Sequence, residues 1–228
     1  MSLIFTDGNP REMPTMANGF MPFNSAEFEP LYNQSKAATR GSKAQVANLA
    51  PELWQMSFAS PTVHSDVAMD YLAWISSLDG GEILFKAWHP HLRFPRNYKR
   101  GFGGLTLADG ATPFDGTCAV ESIGTQLDTI TLAGVPKTFS LQRYDMVSMP
   151  FGPSRTLHRL IAPAVANNLG KITVTVRPRV PISFMASPEV IATFVKPWCL
   201  AVIDASSIRG PFGEGQTGSV SFSAVQTY

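Results

Sequence analysis

The spacing of apolar residues changes period inside one short stretch, Leu53 to Ala87 (LWQMSFASPTVHSDVAMDYLAWISSLDGGEILFKA), and this limits the fold more than anything else in the chain. Trp54, Met56 and Phe58 alternate with Leu53, Gln55 and Ser57, the period of a strand with one large apolar face. Val67, Tyr71, Trp74, Ile75 and Leu78 then follow at helical spacing, one stripe of a helix. Ser65 and Asp66 suit an N-cap and a first turn, where a side-chain oxygen accepts an orphan backbone N–H. Asp79-Gly80-Gly81 supplies the positive φ of a helix end, and Glu82 to Trp88 reads as a returning strand. The stretch describes a helix laid on a sheet.

Beyond Gly101 the pattern is β. Thr129-Ile-Thr-Leu-Ala, Lys171-Ile-Thr-Val-Thr-Val-Arg and Ser219-Val-Ser-Phe-Ser-Ala-Val alternate strictly. Turn signals separate them at Gly134-Val-Pro136, Gly152-Pro153, Asn167-Asn-Leu-Gly170, Pro178, Pro181 and Gly210-Pro-Phe-Gly213. Short strands at this spacing predict a sandwich or a barrel.

Residues 1–50 differ. Pro10, Pro14, Pro22, Pro30 and Pro51 break ladders, and Phe5, Phe20, Phe23, Phe28 and Tyr32 recur without a strand or helix period. The reading is an extended arm with short strands, its aromatics laid on the chain's own core or on a neighbour. Asn33 to Asn48, small, polar and basic, reads as a mobile loop.

Charged residues are 15% of the chain, against roughly 25% in an average soluble domain. The apolar share, 44%, is ordinary. Subunit contacts are depleted in Lys, Glu and Asp at their centres, so a charge deficit of this kind points to surface covered by neighbouring subunits. A net charge of +1 gives no general pull toward nucleic acid or anionic lipid. Cys118 and Cys199, with no CxxC, read as small buried apolar residues in a reducing compartment. MSLIFTDGNPREMP has neither a basic start nor an apolar core, so no secretory leader is expected. No apolar run approaches the roughly 20 residues of a membrane span.

Several groups bear on chemistry. His89-Pro90-His91 offers two imidazoles, but Pro90 breaks the strand, and a third ligand such as His64 or His158 must come from far away in sequence. Lys86 to Arg100 (KAWHPHLRFPRNYKR) interleaves Lys86, Arg93, Arg96, Lys99 and Arg100 with Trp88, Phe94 and Tyr98, a mixture suited to base stacking and phosphate contact. The plainer reading is a loop facing a neighbour or a lumen. Gly101-Phe-Gly-Gly-Leu-Thr106 fails the dinucleotide pattern at its sixth position. Glu27 and Glu29 would serve a glycosidase only if placed across a groove.

Several segments, taken in order, resemble the distal-tail or tail-tip proteins of long-tailed bacteriophages. Leu53-Trp-Gln-Met-Ser-Phe is similar to that family's Trp-led strand, and Ala68-Met-Asp-Tyr-Leu-Ala-Trp74-Ile-Ser-Ser-Leu-Asp-Gly80 to its helix of alanines and a tryptophan. Glu82-Ile-Leu-Phe-Lys-Ala is similar to the strand that follows. Asp128 to Pro136 with Leu141-Gln-Arg-Tyr144-Asp145-Met-Val-Ser is similar to its Gly-Asp strand start, although Tyr144 stands where glycine is usual. Leu157-His-Arg159-Leu, the turn at Asn167 and Ile172 to Pro178 resemble its next hairpin. The resemblance covers most of 53–228.

It implies a β-rich fold with a helix and a homo-oligomeric ring, hexamer or trimer. That ring would join the tail tube to the tip apparatus, with tube, hub and tape-measure proteins as partners, in a virion whose parts fold in the host cytoplasm. The expected fold is therefore mainly β, a barrel or sandwich with one packed helix near 65–78 in residues 51–228 and an extended arm over 1–50. Removing residues 1–32 is expected to dissociate the ring and leave the core folded. No enzyme activity, cofactor, metal, membrane segment or specific nucleic acid is expected, and no residue is assigned to a catalytic or ligand site. The alternative is a carbohydrate- or receptor-binding sandwich module whose aromatic platform is drawn from Trp88, Phe94, Tyr98 or Trp198.

Overall fold

The structure is a computed structural model that describes residues 3–4, 8–16, 23–38, 44–48, 50–210 and 217–228. It is mainly β: among the described residues there are a six-stranded sheet, a closed six-stranded barrel, four two-stranded sheets and one α-helix. A six-stranded sheet runs in the spatial order Arg11–Glu12, Phe85–Trp88, Trp198–Arg209, Ser221–Thr227, Leu53–Ala59, Ser25–Leu31. Its pairs are antiparallel except Arg11–Glu12 beside Phe85–Trp88.

A closed six-stranded barrel follows the order Thr117–Ile123, Thr129–Ala133, Lys171–Arg177, Ser154–Leu160, Met146–Phe151, Ile191–Thr193. In sequence, the barrel lies between two strands of the sheet that pair directly, with Trp88 opposite Trp198. The chain leaves the sheet after Trp88, builds the barrel, and returns to the same place at Trp198.

Alternation places the two cores. Trp54, Met56 and Phe58 bury on the sheet's inner face with Phe85, Phe222 and Ala224. The helix Ser65–Ser76 covers that face with Val67, Ala68, Tyr71, Trp74 and Ile75, and Leu78 continues the stripe. Trp74 meets Phe85 edge-on at 5.6 Å, and Phe222 stacks on Phe58 at 5.2 Å. Ile130 and Leu132, Ile172, Val174 and Val176, and Val147 and Met149 fill the barrel. The two cysteines lie apart, Cys118 in the barrel core and Cys199 in the sheet core, both free and buried. Burial pushes both thiols well above their ordinary pKa.

Two local expectations change. The helix begins at Ser65 itself, and His64 holds the N-cap position without a side-chain cap bond. Ser65 is therefore helical rather than capping, while Asp66 does lie in the first turn, at the N-terminal end of the dipole. Residues 33–48 are not a plain loop: Gln34–Ala38 and Ala44–Asn48 pair as a two-stranded ribbon, Gln34 opposite Asn48.

The arm also packs inward. Phe23 and Phe28 are buried in the sheet core, and Phe23 lies 5.4 Å from Tyr71 and 5.5 Å from Phe222. Phe5 and Phe20 lie outside the described residues. Ser25–Leu31 pairs with the whole of Leu53–Ala59 and forms one edge of the sheet, and Arg11–Glu12 forms the other. This part of the arm needed no period of its own, because its neighbours supply the sheet frame. Among the described residues no helix is long and apolar enough to cross a membrane.

Candidate functional site

The sheet and the barrel meet along the strand Ser154–Leu160, whose residues divide between the two. Leu157 belongs to the sheet core and Leu160 to the barrel core. The Leu157 carbonyl accepts the indole N–H of Trp54 at 2.7 Å. Arg159, on the same strand, donates to the Phe28 carbonyl at 3.0 Å. A buried indole and a nearly buried guanidinium thus join the two assemblies.

A cleft of about 250 Å³ opens beside this seam, lined by residues from four separate segments: Ala26 to Glu29, His89, Tyr144 with Met146, and Arg159. The Arg159 side chain is 13% exposed. Its guanidinium lies 4.3 Å from the Tyr144 ring centre and 5.2 Å from that of Trp54, with Glu29 at 3.9 Å. Cation–π contacts of this kind gain strength as water is excluded.

Tyr144 holds an unusual backbone, φ +74°, where a side chain crowds its own carbonyl and glycine is favoured. Bonds around the turn fix it there. The Tyr144 N–H donates to Leu160 O at 2.8 Å. The buried carboxylate of Asp145 accepts Gln142 N–H at 2.7 Å and Arg96 N–H at 2.8 Å. Burial raises the Asp145 pKa, and those two N–H donors oppose the shift. Glycine would adopt this φ without strain, and the residue that holds it is tyrosine. Tyr144 is 54% exposed at the cleft mouth.

The histidines do not converge. His91 N–H donates to His89 Nδ1 at 3.2 Å, which leaves the His89 proton on Nε2, and His91 Nε2 lies 2.8 Å from Asn24 O. His89 is lowered to about 4, first by burial and then by His91. His64 sits beside Asp66 at 3.4 Å, and His158 is buried elsewhere, with Nδ1 2.8 Å from Pro178 O. Among the described residues no group of three His, Cys, Asp or Glu side chains could hold a metal ion.

The basic run folds into two short 3₁₀ turns, Pro90–Leu92 and Arg96–Tyr98, with its aromatics turned inward. Tyr98 stacks on Phe139 at 4.8 Å, and its hydroxyl accepts Ser140 N–H at 3.0 Å. Phe94 packs edge-on to Phe102, and Trp88 is buried. Lys86 pairs with Glu12 at 2.5 Å and lies over Trp198, which Arg155 also approaches. Trp88, Phe94, Tyr98 and Trp198 therefore form no shared exposed platform. Glu27 and Glu29 are both exposed, but they stand two apart on one edge strand rather than on facing walls.

Sequence reasoning named Glu27, Glu29 and His89, and the fold brings them to one cleft. It did not single out Arg159 as a site residue, and it noted Tyr144 only as a departure from glycine. No spacing along the chain marks either residue as part of a site, because the segments they meet, 26–29 and 89, lie far away in sequence. No protein-family model matches the chain, and no curated protein matches it.

Proposed function

We propose that this chain is a structural protein of a bacteriophage tail tip, of the distal-tail type, which assembles with copies of itself into a ring between the tail tube and the tip apparatus. The observation that carries the reading is the set of large apolar side chains displayed by the barrel half of the chain. Ile182 is 89% exposed and Met185 84%, and Val165 and Leu169 are exposed as well. Ile182 also borders a shallow cleft of about 180 Å³ lined by Pro51, Leu127, Val180 and Pro181. Apolar residues at such exposure, on a chain low in charge, favour burial against another protein.

The segments that carry the resemblance also lie on consecutive elements. The Trp-led strand, the helix, the glycine turn and the returning strand form one packed unit. The ribbon of Gln34–Ala38 and Ala44–Asn48 supports the reading too, since a lone two-stranded hairpin is marginal in water and gains from a partner. Ring closure requires a heterologous contact whose rotation returns to its start. The role is non-catalytic, its setting is the virion, and its partners are tube, hub and tape-measure proteins.

Size-exclusion chromatography with light scattering, and negative-stain images of the peak, test it. The expected result is a closed ring, trimeric or hexameric. A monomer at every concentration, with and without a tail-tube partner, would count against the reading.

A further inference from the structure

We infer that the basic loop 93–100, together with Arg143 and Lys196, is a docking surface for the phosphate backbone of a nucleic-acid duplex, bound without reading its sequence. The inference stands on this surface and does not depend on ring formation.

The stretch from Ile83 to Ala108 contains no Asp or Glu, and folding brings further cations to it from other segments. The Lys196 N–H donates to Arg93 O at 2.8 Å, and the Arg96 guanidinium donates to Arg143 O at 3.1 Å. The 3₁₀ turns Pro90–Leu92 and Arg96–Tyr98 keep the loop compact between these two contacts. Arg93, Arg96, Lys99, Arg100 and Arg143 are exposed there, and Lys196 is half-buried. Burial and then Arg93 lower the Lys196 pKa, against Glu12, as two cations held close require. Among the described residues no carboxylate makes an ion pair with Arg93, Lys99, Arg100 or Arg143. Asp145 is buried and accepts the backbone N–H groups of Gln142 and Arg96, and Glu12 pairs with Lys86. The whole chain carries a net charge of +1, so this positive field is local to one face.

The make-up of the face selects the partner. A protein contact buries apolar and aromatic side chains at its centre, and a lipid surface takes up an apolar face. Here Phe94 and Tyr98 pack inward on Phe102 and Phe139, and Trp88 is buried. Interfaces with nucleic acid are more polar and much more positive. Arginine predominates on this face, and its planar fork matches phosphate oxygens in pairs. The inward rings also favour a duplex over a single strand, which is held by successive bases stacked on exposed aromatics. Tyr144, exposed beside Arg143, offers one such ring and not a series. A duplex instead presents about one negative charge per 1.7 Å of its axis, twice the density of one strand. Contacts to phosphate alone carry no sequence information.

Fluorescence anisotropy on the full chain tests this with two labelled DNA duplexes of unrelated sequence and equal length, and with one separated strand. Polyglutamate, phosphatidylserine vesicles and unlabelled duplex serve as competitors. Both duplexes should bind alike and more tightly than the strand, with affinity falling about tenfold between 50 and 150 mM salt. Arg100→Glu should weaken binding about tenfold and reduce the salt slope by about 1. Arg93→Glu repeats the test at a second exposed position. Arg209→Glu makes the same change of charge at the far end of the strand Trp198–Arg209, and binding should stay within about twofold of the parent. Circular dichroism melts check that each variant is folded. The inference is overturned by no duplex binding at the lower salt, by binding indifferent to salt, or by tighter binding of the single strand. Stronger displacement by polyglutamate or vesicles than by unlabelled duplex, or equal loss in Arg100→Glu and Arg209→Glu, overturns it as well. Light scattering on the same samples separates the two proposals: a ring that binds no duplex leaves the assembly reading in place.

Discussion

The guanidinium carbon of Arg159 stands 4.3 Å from the centre of the Tyr144 ring, and the two residues reach each other from the two arms of one hairpin. Met146, two residues after Tyr144, pairs with Arg159 across that hairpin, so the left-handed backbone at Tyr144 folds its ring back over the neighbouring strand. Arg159 in turn reaches past Trp54 to the edge strand at Phe28. A single contact therefore ties the shape of a turn to the seam between sheet and barrel.

The backbone at 144 predicts an ordering of variants. Tyr144→Gly and Tyr144→Ala both lose the ring, but only glycine escapes the Cβ penalty at φ +74°. The glycine variant should be the more stable of the two by about 1 kcal/mol. Urea unfolding of the pair measures this directly, and an alanine variant equal to or above glycine would rule out the left-handed turn.

Arg159 should not tolerate lysine. Its planar fork donates to Phe28 O while lying between two rings, and an ammonium cannot make both contacts. Arg159→Lys should cost about 1.5–3 kcal/mol, the range for a hydrogen bond involving a charged group. A urea midpoint within error of the parent protein would show that the seam does not depend on the fork.

These two residues also show where sequence reasoning stops. The strand Leu53–Ala59, the helix and the barrel strands were legible because burial imposes a period: every second residue of Lys171–Arg177 faces the core, as does one stripe of Ser65–Ser76. The ribbon of Gln34–Ala38 and Ala44–Asn48 was not legible, since its sequences, QSKAA and AQVAN, do not alternate apolar and polar residues with a period of two. Phe23 and Phe28 looked unframed for a related reason: the helix and sheet that bury them are fixed by residues 53–88 and 198–227. The cleft was the least legible part, because its wall comes from segments that no spacing along the chain connects.

The position of Phe23 and Phe28 changes what removal of the arm should do. Deleting residues 1–32 takes away both edge strands and two buried aromatics of the sheet core. The expected outcome is a less stable, partly unfolded sheet rather than an intact subunit released from a ring. Phe23→Ala alone should cost about 3–5 kcal/mol. Circular dichroism melts of the deletion and of Phe23→Ala decide it, and two melts matching the parent would return the arm to the outside of the core.

Trp54→Phe isolates one hydrogen bond, whereas Trp74→Ala removes packing together with the bond from Trp74 Nε1 to Glu12 O. Trp74→Ala empties the space between helix and sheet and should cost about 3–5 kcal/mol. Trp54→Phe keeps most of the apolar volume but leaves the Leu157 carbonyl without its indole donor, a loss of about 1–3 kcal/mol. Differential scanning calorimetry of both variants provides the comparison. A Trp54→Phe protein as stable as the parent would mean that the bond at the seam contributes little.

Stability should fall as the solution is acidified, and His158 gives the reason. The ring is fully buried, Nδ1 donates to Pro178 O, and Nε2 is buried without a partner, so adding a proton there places a charge in the core. Burial lowers its pKa from 6.5 to about 4. The unfolded chain therefore binds this proton more readily than the folded one. The contribution is complete above pH 6.5, declines as pH falls below it, and is lost by about pH 4. A shift of this size corresponds to about 3 kcal/mol at most. His89, lowered to about 4 at a partly open site, acts in the same direction with a smaller effect. Asp145 opposes both, because its raised pKa favours the protonated folded state on the acid side. Urea titrations at pH 7, 6, 5 and 4 should show the midpoint dropping most between 6 and 4. His158→Gln should flatten that slope, and a variant with the parent's pH profile would remove His158 as its cause.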